Sequence, residues 1–156
     1  MNDEFFIKLA EELGICCNIE VINRYEQFMI NTCQEALDYV HAVDSPNIKI
    51  HLDTYHMNIE EDSFDRAIVS AGEKLGHFHV GENNRRLPGK GHIPWDEVFC
   101  ALRKIEYQGN IVIEPFIQHE GDVAKSIKLW RDLKKDEDLG QEAKKSLAFL
   151  KEKLTN

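Results

Sequence analysis

The amino-acid sequence predicts an α/β fold in which four short parallel strands alternate with helices. Four segments alternate apolar and polar residues with the period of two that is typical of a strand with one apolar face. Segments with helical spacing lie between them, and the strand starts follow one another at intervals of about 30 residues, the length of one βα unit. We expect residues 1–156 to form a single (βα)₄ domain, since this length fits one core.

The predicted strands share a second feature, a potential ligand at the C-terminal end of each. The strand candidates are residues 15–21, 48–53, 76–80 and 110–116. Their acidic or imidazole side chains are, in the same order, Glu20, Asp53, His79 and Glu114. Because parallel neighbouring strands end at one edge of a sheet, these side chains should meet at one point. Carboxylates and an imidazole offered together suit metal binding or proton transfer.

The helices are predicted from apolar stripes and from stop signals. Candidates are residues 2–13, 28–43, 63–75, a helix starting at Pro94, 121–133 and 139–154. Gly14 and Gly76 stand where the first and third should end, and Pro94 suits the first turn of the fourth. In the second helix an apolar stripe begins at Phe28. Residues 81–93, whose glycines and proline mark a break, are predicted to form a long loop.

The last predicted helix carries Ala143, Leu147 and Leu150 on one stripe and should pack on the outside. A net charge of −9, from 28 acidic and 19 basic residues, argues against a nucleic-acid partner. No apolar run near 18 residues and no signal-peptide pattern is visible, so we expect no membrane association and a cytoplasmic location. The four cysteines lack CxxC spacing, and reduced, mostly buried thiols are expected.

Parallel βα units allow an open sheet or a segment of a barrel. No GxGxxG motif follows the first strand, which removes the main support for a dinucleotide-binding sheet. Ligands at the C-terminal ends of all four strands favour a barrel, since barrel enzymes carry their chemistry on that face. The predicted fold is therefore half of a (β/α)₈ TIM barrel with flanking N- and C-terminal helices.

Five motifs carry a resemblance to a known family. They are IEVINRYE (19–26), HLDTYHMNIEED (51–62), HFHVGENNR (77–85), GKGHIPWDEVF (89–99) and VIEPF (112–116). Together they resemble the D-tagatose/D-psicose (allulose) 3-epimerases, which are (β/α)₈ barrels of the xylose-isomerase-like group. The match runs from about residue 14 to 133 with the motifs in family order, and it covers only the second half of such a barrel.

The resemblance implies a function and a set of site residues. It makes Glu20, Asp53, His79 and Glu114 the ligands of a divalent metal, Mn²⁺ first, with Co²⁺ or Mg²⁺ as alternatives. It makes Glu26, His56 and Arg85 the residues that hold the O1 to O3 end of a ketose. The implied reaction is epimerisation at C3 through an enediolate, in which Glu20 and Glu114 stand on opposite faces of C3, one removing the proton and the other returning it.

Other residues have simpler interpretations. Glu26 could instead cap the next helix, and His51 and His77 are expected to fill the interior or to hydrogen-bond the ligands. His41, His92 and His119 are expected at the surface or in loops. Arg86 and Lys90 should be solvated, and Trp95 should pack under the loop.

Four βα units cannot close a barrel, so the first and fourth strands would carry open edges. A homodimer or higher oligomer could cover them, or a separate chain could supply an N-terminal half-barrel. The alternative to an active epimerase is therefore a non-catalytic or split half-barrel that binds metal or sugar and needs a partner chain. Another chemistry of the xylose-isomerase-like group is a third, weaker alternative.

Overall fold

The computed structural model describes residues 3–134 and 136–155. Its strands are β1 (Cys17–Glu20), β2 (Ile48–Asp53), β3 (Leu75–Val80) and β4 (Asn110–Ile113). Its helices are α1 (Asp3–Leu13), α2 (Cys33–Val43), α3 (Thr54–Glu60), α4 (Phe64–Ala71), α5 (Trp95–Lys104), α6 (Gly121–Ser126) and α7 (Leu139–Thr155). None of these helices combines the length and apolar composition needed to cross a membrane.

The strands form one parallel sheet in the order β1-β2-β3-β4, as the sequence predicts. Glu20 is in register with His51, and Asp53 is in register with His79. A register shift between Ile50 and His51 lies in the pairing of β2 with β3. The C-terminal ends of the four strands therefore lie at one edge of the sheet.

The core lies between the apolar face of the sheet and the helices. Ile50, Leu52 and Phe78 on the central strands have no exposed surface. They belong to one cluster with side chains of α2, α4 and α5. Burying one such side chain stabilises the fold by about 1.5–3 kcal/mol. The opposite face carries polar side chains, among them His51 and Asp53. These side chains are not needed for the apolar core and are available for binding or catalysis.

The first five residues of one predicted helix, 28–32, are not helical. Residue 28 does not start α2, because the preceding segment is held as a loop by the Gln27 side chain, which donates to the carbonyl of Ile30. Thr32 then forms a capping box with Glu35 and starts the helix at Cys33. Phe28 is 90% exposed.

Other boundaries differ for local reasons. The helix expected over 63–75 ends at Ala71, and β3 begins at Leu75 after a 3₁₀ turn over Gly72–Lys74. The helix expected over 121–133 ends at Ser126, because Lys128 takes a positive φ of 62° and the Leu129 N–H donates to the Ala124 carbonyl.

Two predicted helix features are also corrected. Pro94 lies at the N-cap of α5, one residue before its first turn. Leu150 is buried in α7, but Ala143 and Leu147 are exposed, and the buried neighbour of Leu150 on that helix is Ser146. The stripe fails because Ser146 turns inward to donate to the Pro88 carbonyl. The predicted first residue of α1, Asn2, lies outside the described residues.

The cysteines are more exposed than expected. Cys33 is buried, whereas Cys16, Cys17 and Cys100 are exposed. Cys16 precedes β1 and Cys17 begins it, and within the described chain this strand pairs with a neighbour on one side only.

Candidate active site

The four predicted ligands lie together at the C-terminal edge of the sheet. Glu20 and Asp53 end β1 and β2, His79 lies near the end of β3, and Glu114 directly follows β4. One potential ligand atom from each of these side chains lies within 4.8 Å of the others. His79 Nδ1 is 3.8 Å from Asp53 Oδ2 and 3.4 Å from Glu114 Oε2. Sequence reasoning thus predicted which side chains the fold brings to this edge.

Two atoms of this group are buried without a hydrogen bond. Asp53 Oδ2 and His79 Nδ1 have no hydrogen-bond partner, since their contacts with neighbouring carboxylates lack hydrogen-bond geometry. Leaving a buried polar group unpaired costs about 1–3 kcal/mol. A cation between the four side chains would satisfy both atoms. Three carboxylates and one imidazole form a hard, oxygen-rich donor set, so the residues present fit a divalent cation such as Mn²⁺ or Mg²⁺.

Burial disfavours the ionised forms of Asp53 and Glu20 when no metal is bound. Burial raises the pKa of Asp53 to about 7. The pKa of Glu20 is also raised, first by burial and then by the nearby Glu114 carboxylate. The pKa of Glu114 is lowered, chiefly by its interaction with His79. Acids this close repel each other in their ionised forms, and a bound cation would remove that repulsion.

A buried arginine lies next to the four ligands. Arg85 is 6% exposed, and its guanidinium carbon stands 3.5 Å from the centre of the Tyr55 ring. Its Nη2 donates to Glu26 Oε1 at 3.0 Å, while Nε and Nη1 have no partner. Two buried guanidinium donors without acceptors are an arrangement suited to oxygen atoms of a ligand.

His56 is held in one orientation by Asn23. The backbone N–H of Asn23 donates to His56 Nδ1 at 3.2 Å, and the Asn23 side-chain nitrogen lies 2.7 Å from the same atom. This network assigns the proton of the neutral ring to Nε2. Burial, followed by the charge of Arg85, lowers the pKa of His56 to about 4. His56 is thus a neutral ring with a donor at Nε2.

Glu26 joins these two groups. It accepts from the side chains of both Asn23 and Arg85, at 3.0 Å each. The alternative that Glu26 caps α2 is wrong, because Thr32 is the cap of that helix. The structure thus brings Glu26, His56 and Arg85 together.

The loop that carries Arg85 is built around Glu82, which is completely buried. Glu82 Oε1 accepts from the Gly89 N–H at 2.6 Å and from the Trp95 indole at 2.9 Å, and Oε2 accepts from the Ile93 N–H at 3.2 Å. Trp95 packs under the loop, as predicted. Arg85 itself takes a positive φ of 63°, a conformation that non-glycine residues adopt only when their surroundings impose it.

Helix α7 holds the far side of this loop, which overturns the expectation for two basic residues. Arg86 and Lys90 are half-buried instead of fully solvated, and both pair with Glu137, at 3.0 and 2.7 Å. Lys90 also pairs with Glu142 on α7. The acids that pair with them lie about 50 residues further along the chain, so the spacing of residues in the sequence does not predict these ion pairs.

Comparisons with known proteins agree with this architecture. The sequence model of the xylose isomerase-like TIM barrel family matches residues 4–153. The chain belongs to this family. It is 50% identical over 145 residues to the D-psicose 3-epimerase of Enterocloster bolteae, covering 91% of this chain and 48% of that protein. It is also 50% identical over 143 residues to the enzyme of the same name from Agrobacterium fabrum, covering 90% of this chain and 50% of that protein.

Solved structures of relatives show the same fold. A crystal structure of D-psicose 3-epimerase in the presence of D-fructose superposes with a TM-score of 0.93 at 46% identity, over 97% of this chain and 54% of the other. The D-psicose 3-epimerase of Clostridium cellulolyticum H10 with D-tagatose gives 0.91 at 48% identity, over 94% and 52%. The chain spans about half the length of these TIM barrel relatives. The family resemblance drawn from the motifs is confirmed, and so is the prediction that the chain matches only part of such a barrel.

Several site residues of this family member were not found from the sequence. Asn23 and Tyr55 contact His56 and Arg85, and Glu82 anchors the loop, yet each is an ordinary polar or aromatic residue in a loop or short helix. All three lie inside motifs that carry the family resemblance, which was the only available signal. His51 and His77 lie on the polar face of the sheet with His79, and their rings contact each other. His41 and His92 are exposed, and His119 is largely so.

Proposed function

We propose that this chain carries the metal-binding half of a ketose 3-epimerase. The observation that supports this most directly is the convergence of Glu20, Asp53, His79 and Glu114 on one point in a chain that is 50% identical to D-psicose 3-epimerases. Mn²⁺ is the first candidate for the metal, with Co²⁺ and Mg²⁺ as alternatives. The bound cation would polarise the ketose carbonyl and so make the C3 proton more acidic.

Arg85, His56 and Glu26 would bind the O1 to O3 end of the sugar. The free Nε and Nη1 donors of Arg85 suit oxygens that become negative during the reaction. The Nε2–H of His56 supplies a further donor, and Glu26 holds Arg85 in place. Stacking on Tyr55 restricts the guanidinium to one plane, so its donors are oriented before the substrate arrives.

Glu20 and Glu114 would exchange the C3 proton. They lie on β1 and at the end of β4, the two outer strands of the sheet, and so approach the site from opposite sides. One carboxylate removes the proton from one face of C3, and the other returns a proton to the opposite face of the enediolate. This inverts the configuration at C3.

The remaining wall of the pocket would come from an assembly. Two copies of this chain could complete an eight-stranded ring, or a separate chain could supply the N-terminal half. In the first arrangement six carboxylates from two sites share one barrel mouth, and bound metal would have to offset their repulsion. The exposed thiols of Cys16, Cys17 and Cys100 suit a reducing compartment, which supports a cytoplasmic location.

The test is to incubate the Mn²⁺-loaded protein with D-fructose, D-psicose and D-tagatose over a range of protein concentrations. Interconversion by the chain alone, lost in the Glu114→Gln variant, is the expected result. An exposed acid outside the site, changed in Glu73→Gln, provides the matched control and should keep full activity. Absence of interconversion at every concentration would contradict an enzyme formed by this chain alone.

A second candidate function is favoured by the unpaired sides of β1 and β4 in the described chain. The chain would then be a half-barrel that binds metal or sugar and is inactive without a partner. Activity that appears only on adding an N-terminal half-barrel polypeptide would favour a split enzyme. Metal binding with no activity in any mixture would favour a non-catalytic protein.

A further inference from the structure

Three imidazoles lie against each other beside the carboxylate group. The ring centres of His51 and His79 are 4.1 Å apart, those of His51 and His77 are 4.8 Å apart, and those of His77 and His79 are 4.9 Å apart. One nitrogen from each ring lies within 4.8 Å of the others. His51 belongs to β2 and the other two to β3, so two paired strands hold the cluster.

His51 has an unexplained polar atom. The residue is 7% exposed, and its buried Nε2 has no hydrogen-bond partner. A neutral imidazole has one N–H donor and one acceptor nitrogen, so an unpaired Nε2 leaves one of these unsatisfied at a cost of about 1–3 kcal/mol. Interior packing alone would favour an apolar residue here. The arrangement instead offers a nitrogen ligand beside two others.

We propose that His51, His77 and His79 form a second, nitrogen-only metal site that takes a borderline cation such as Zn²⁺ or Ni²⁺. It shares His79 with the carboxylate group and uses none of its carboxylates. Imidazole suits Zn²⁺ and Ni²⁺, whereas carboxylate oxygens suit Mn²⁺ and Mg²⁺, so the two donor sets differ in preference.

The geometry requires only a small adjustment. In a tetrahedral Zn²⁺ site with bonds of about 2.0–2.1 Å, two ligand nitrogens stand about 3.4 Å apart. The three nitrogens already lie within 4.8 Å of one another, so side-chain rotations of about 1 Å would close the site. Three protein ligands leave the fourth position of such an ion to a water molecule.

The site does not require the proposed epimerase activity, so its test uses metal binding alone. The Asp53→Asn variant removes a carboxylate that the second site does not use. Equilibrium dialysis against Zn²⁺ or Ni²⁺, followed by metal analysis, should show one equivalent fewer in Asp53→Asn/His77→Gln than in Asp53→Asn. His77 belongs only to the second site, which makes the difference between these proteins specific to it.

The matched control is Asp53→Asn/His92→Gln, in which an exposed loop histidine is removed. It should bind as much metal as Asp53→Asn, and this result would exclude nonspecific metal binding by surface imidazoles. Should Asp53→Asn fail to fold by circular dichroism, Glu114→Gln, which also removes a carboxylate that the second site does not use, replaces it, and the same difference of one equivalent is measured between Glu114→Gln and Glu114→Gln/His77→Gln. Equal stoichiometry with and without His77 would overturn the second site and would leave the carboxylate site and the proposed function untouched.

Discussion

Asp53 performs two tasks with its two carboxylate oxygens. Oδ1 accepts from the Tyr55 N–H at 2.6 Å and so caps α3, while buried Oδ2 faces the candidate metal position. The first task needs only an acceptor oxygen, which an asparagine also has. The second needs a charge that burial opposes, since the pKa of Asp53 is raised to about 7.

We expect Asp53→Asn to separate these tasks. In the unfolded chain the carboxyl ionises near pH 3.8 and in the metal-free folded chain near pH 7, so its burial lowers stability increasingly as pH rises between these values. The metal-free variant should therefore melt a few degrees above the wild-type protein at pH 8 and at about the same temperature at pH 4. Mn²⁺ should raise the melting temperature of the wild-type protein only.

Thermal unfolding followed by circular dichroism, with and without EDTA, measures both effects. Asp53→Ala is the control, because it removes the charge together with the cap and should lose about 1 kcal/mol relative to Asp53→Asn. A rise in the melting temperature of Asp53→Asn with Mn²⁺ equal to that of the wild-type protein would contradict the role of Asp53 as a ligand.

Cys33 differs from the other cysteines in its surroundings. Its thiol is buried beside α4 and donates to the Ala67 carbonyl at 3.2 Å. Burial raises the pKa of this thiol to about 12, so almost none of it is thiolate at neutral pH. Because the thiolate is the nucleophile, Cys33 should be inert in the folded protein.

We expect three thiols to react with a disulfide reagent at pH 8 in the folded chain, namely the exposed Cys16, Cys17 and Cys100, and four after denaturation. Absorbance of the released thiol group gives the count. Cys33→Ser should leave the folded count unchanged and lower the denatured count by one. Four rapidly reacting thiols in the folded wild-type protein would show that the region around α2 and α4 opens readily.

At the scale of elements, the loop between β3 and α5 connects the site to the outer helices. Glu82 holds it from inside through three hydrogen bonds, and Arg86 and Lys90 pair with acids at α7 and just before it. The Phe116 N–H adds a bond to the Arg85 carbonyl at 2.8 Å. The position of the Arg85 guanidinium thus depends on contacts made far from it in the sequence.

Replacement of Glu82 should loosen this loop. In Glu82→Gln one oxygen becomes an NH₂ group that faces N–H donors of the loop, and one or more buried donors lose their acceptor. We expect a loss of about 1–3 kcal/mol in the free energy of unfolding, measured by urea denaturation. The exposed Glu73→Gln should change stability by less than about 0.5 kcal/mol, and equal effects of the two changes would contradict the anchoring role of Glu82.

At the scale of the whole molecule, the sheet has two edges that no described strand covers. β1 and β4 each pair on one side only, and Val112 on β4 is 40% exposed on the face that carries the candidate site. Unpaired parallel edges favour association with another chain. The chain spans about half the length of its relatives of similar sequence.

We expect the protein to associate in dilute solution, giving a mass above the 18.1 kDa of one chain and a melting temperature that rises with concentration. Val112→Lys should shift the mass toward one chain, since a lysine on an edge strand opposes pairing. Val69 on α4 is 42% exposed, and Val69→Lys provides the matched control. A single-chain mass for the wild-type protein, with unfolding independent of concentration, would contradict association.

The sequence by itself determined the order of the βα units and the four potential ligands at the strand ends. Both follow from local patterns, because strand alternation and chain direction place side chains without knowledge of distant contacts. Phe28 and residues 127–133 show the limit of such patterns, since an apolar stripe does not reveal a competing side-chain bond or a positive φ. The ligand set and the half-barrel could be predicted because they depend on local patterns. The helix boundaries could not, because they depend on contacts that such patterns do not show.

Only the tertiary structure decided the hydrogen bonds around Arg85 and His56. Arg85 and Glu26 are 59 residues apart, and Asn23 and His56 are 33 apart, yet these pairs share hydrogen bonds. Glu82 reads as one acid among many until its burial is known. Nor does the sequence show that His51 and His77 lie in contact with His79. Such contacts depend on how the loops fold over the sheet. That arrangement is selected by the packing free energy of the whole chain and not by local propensity.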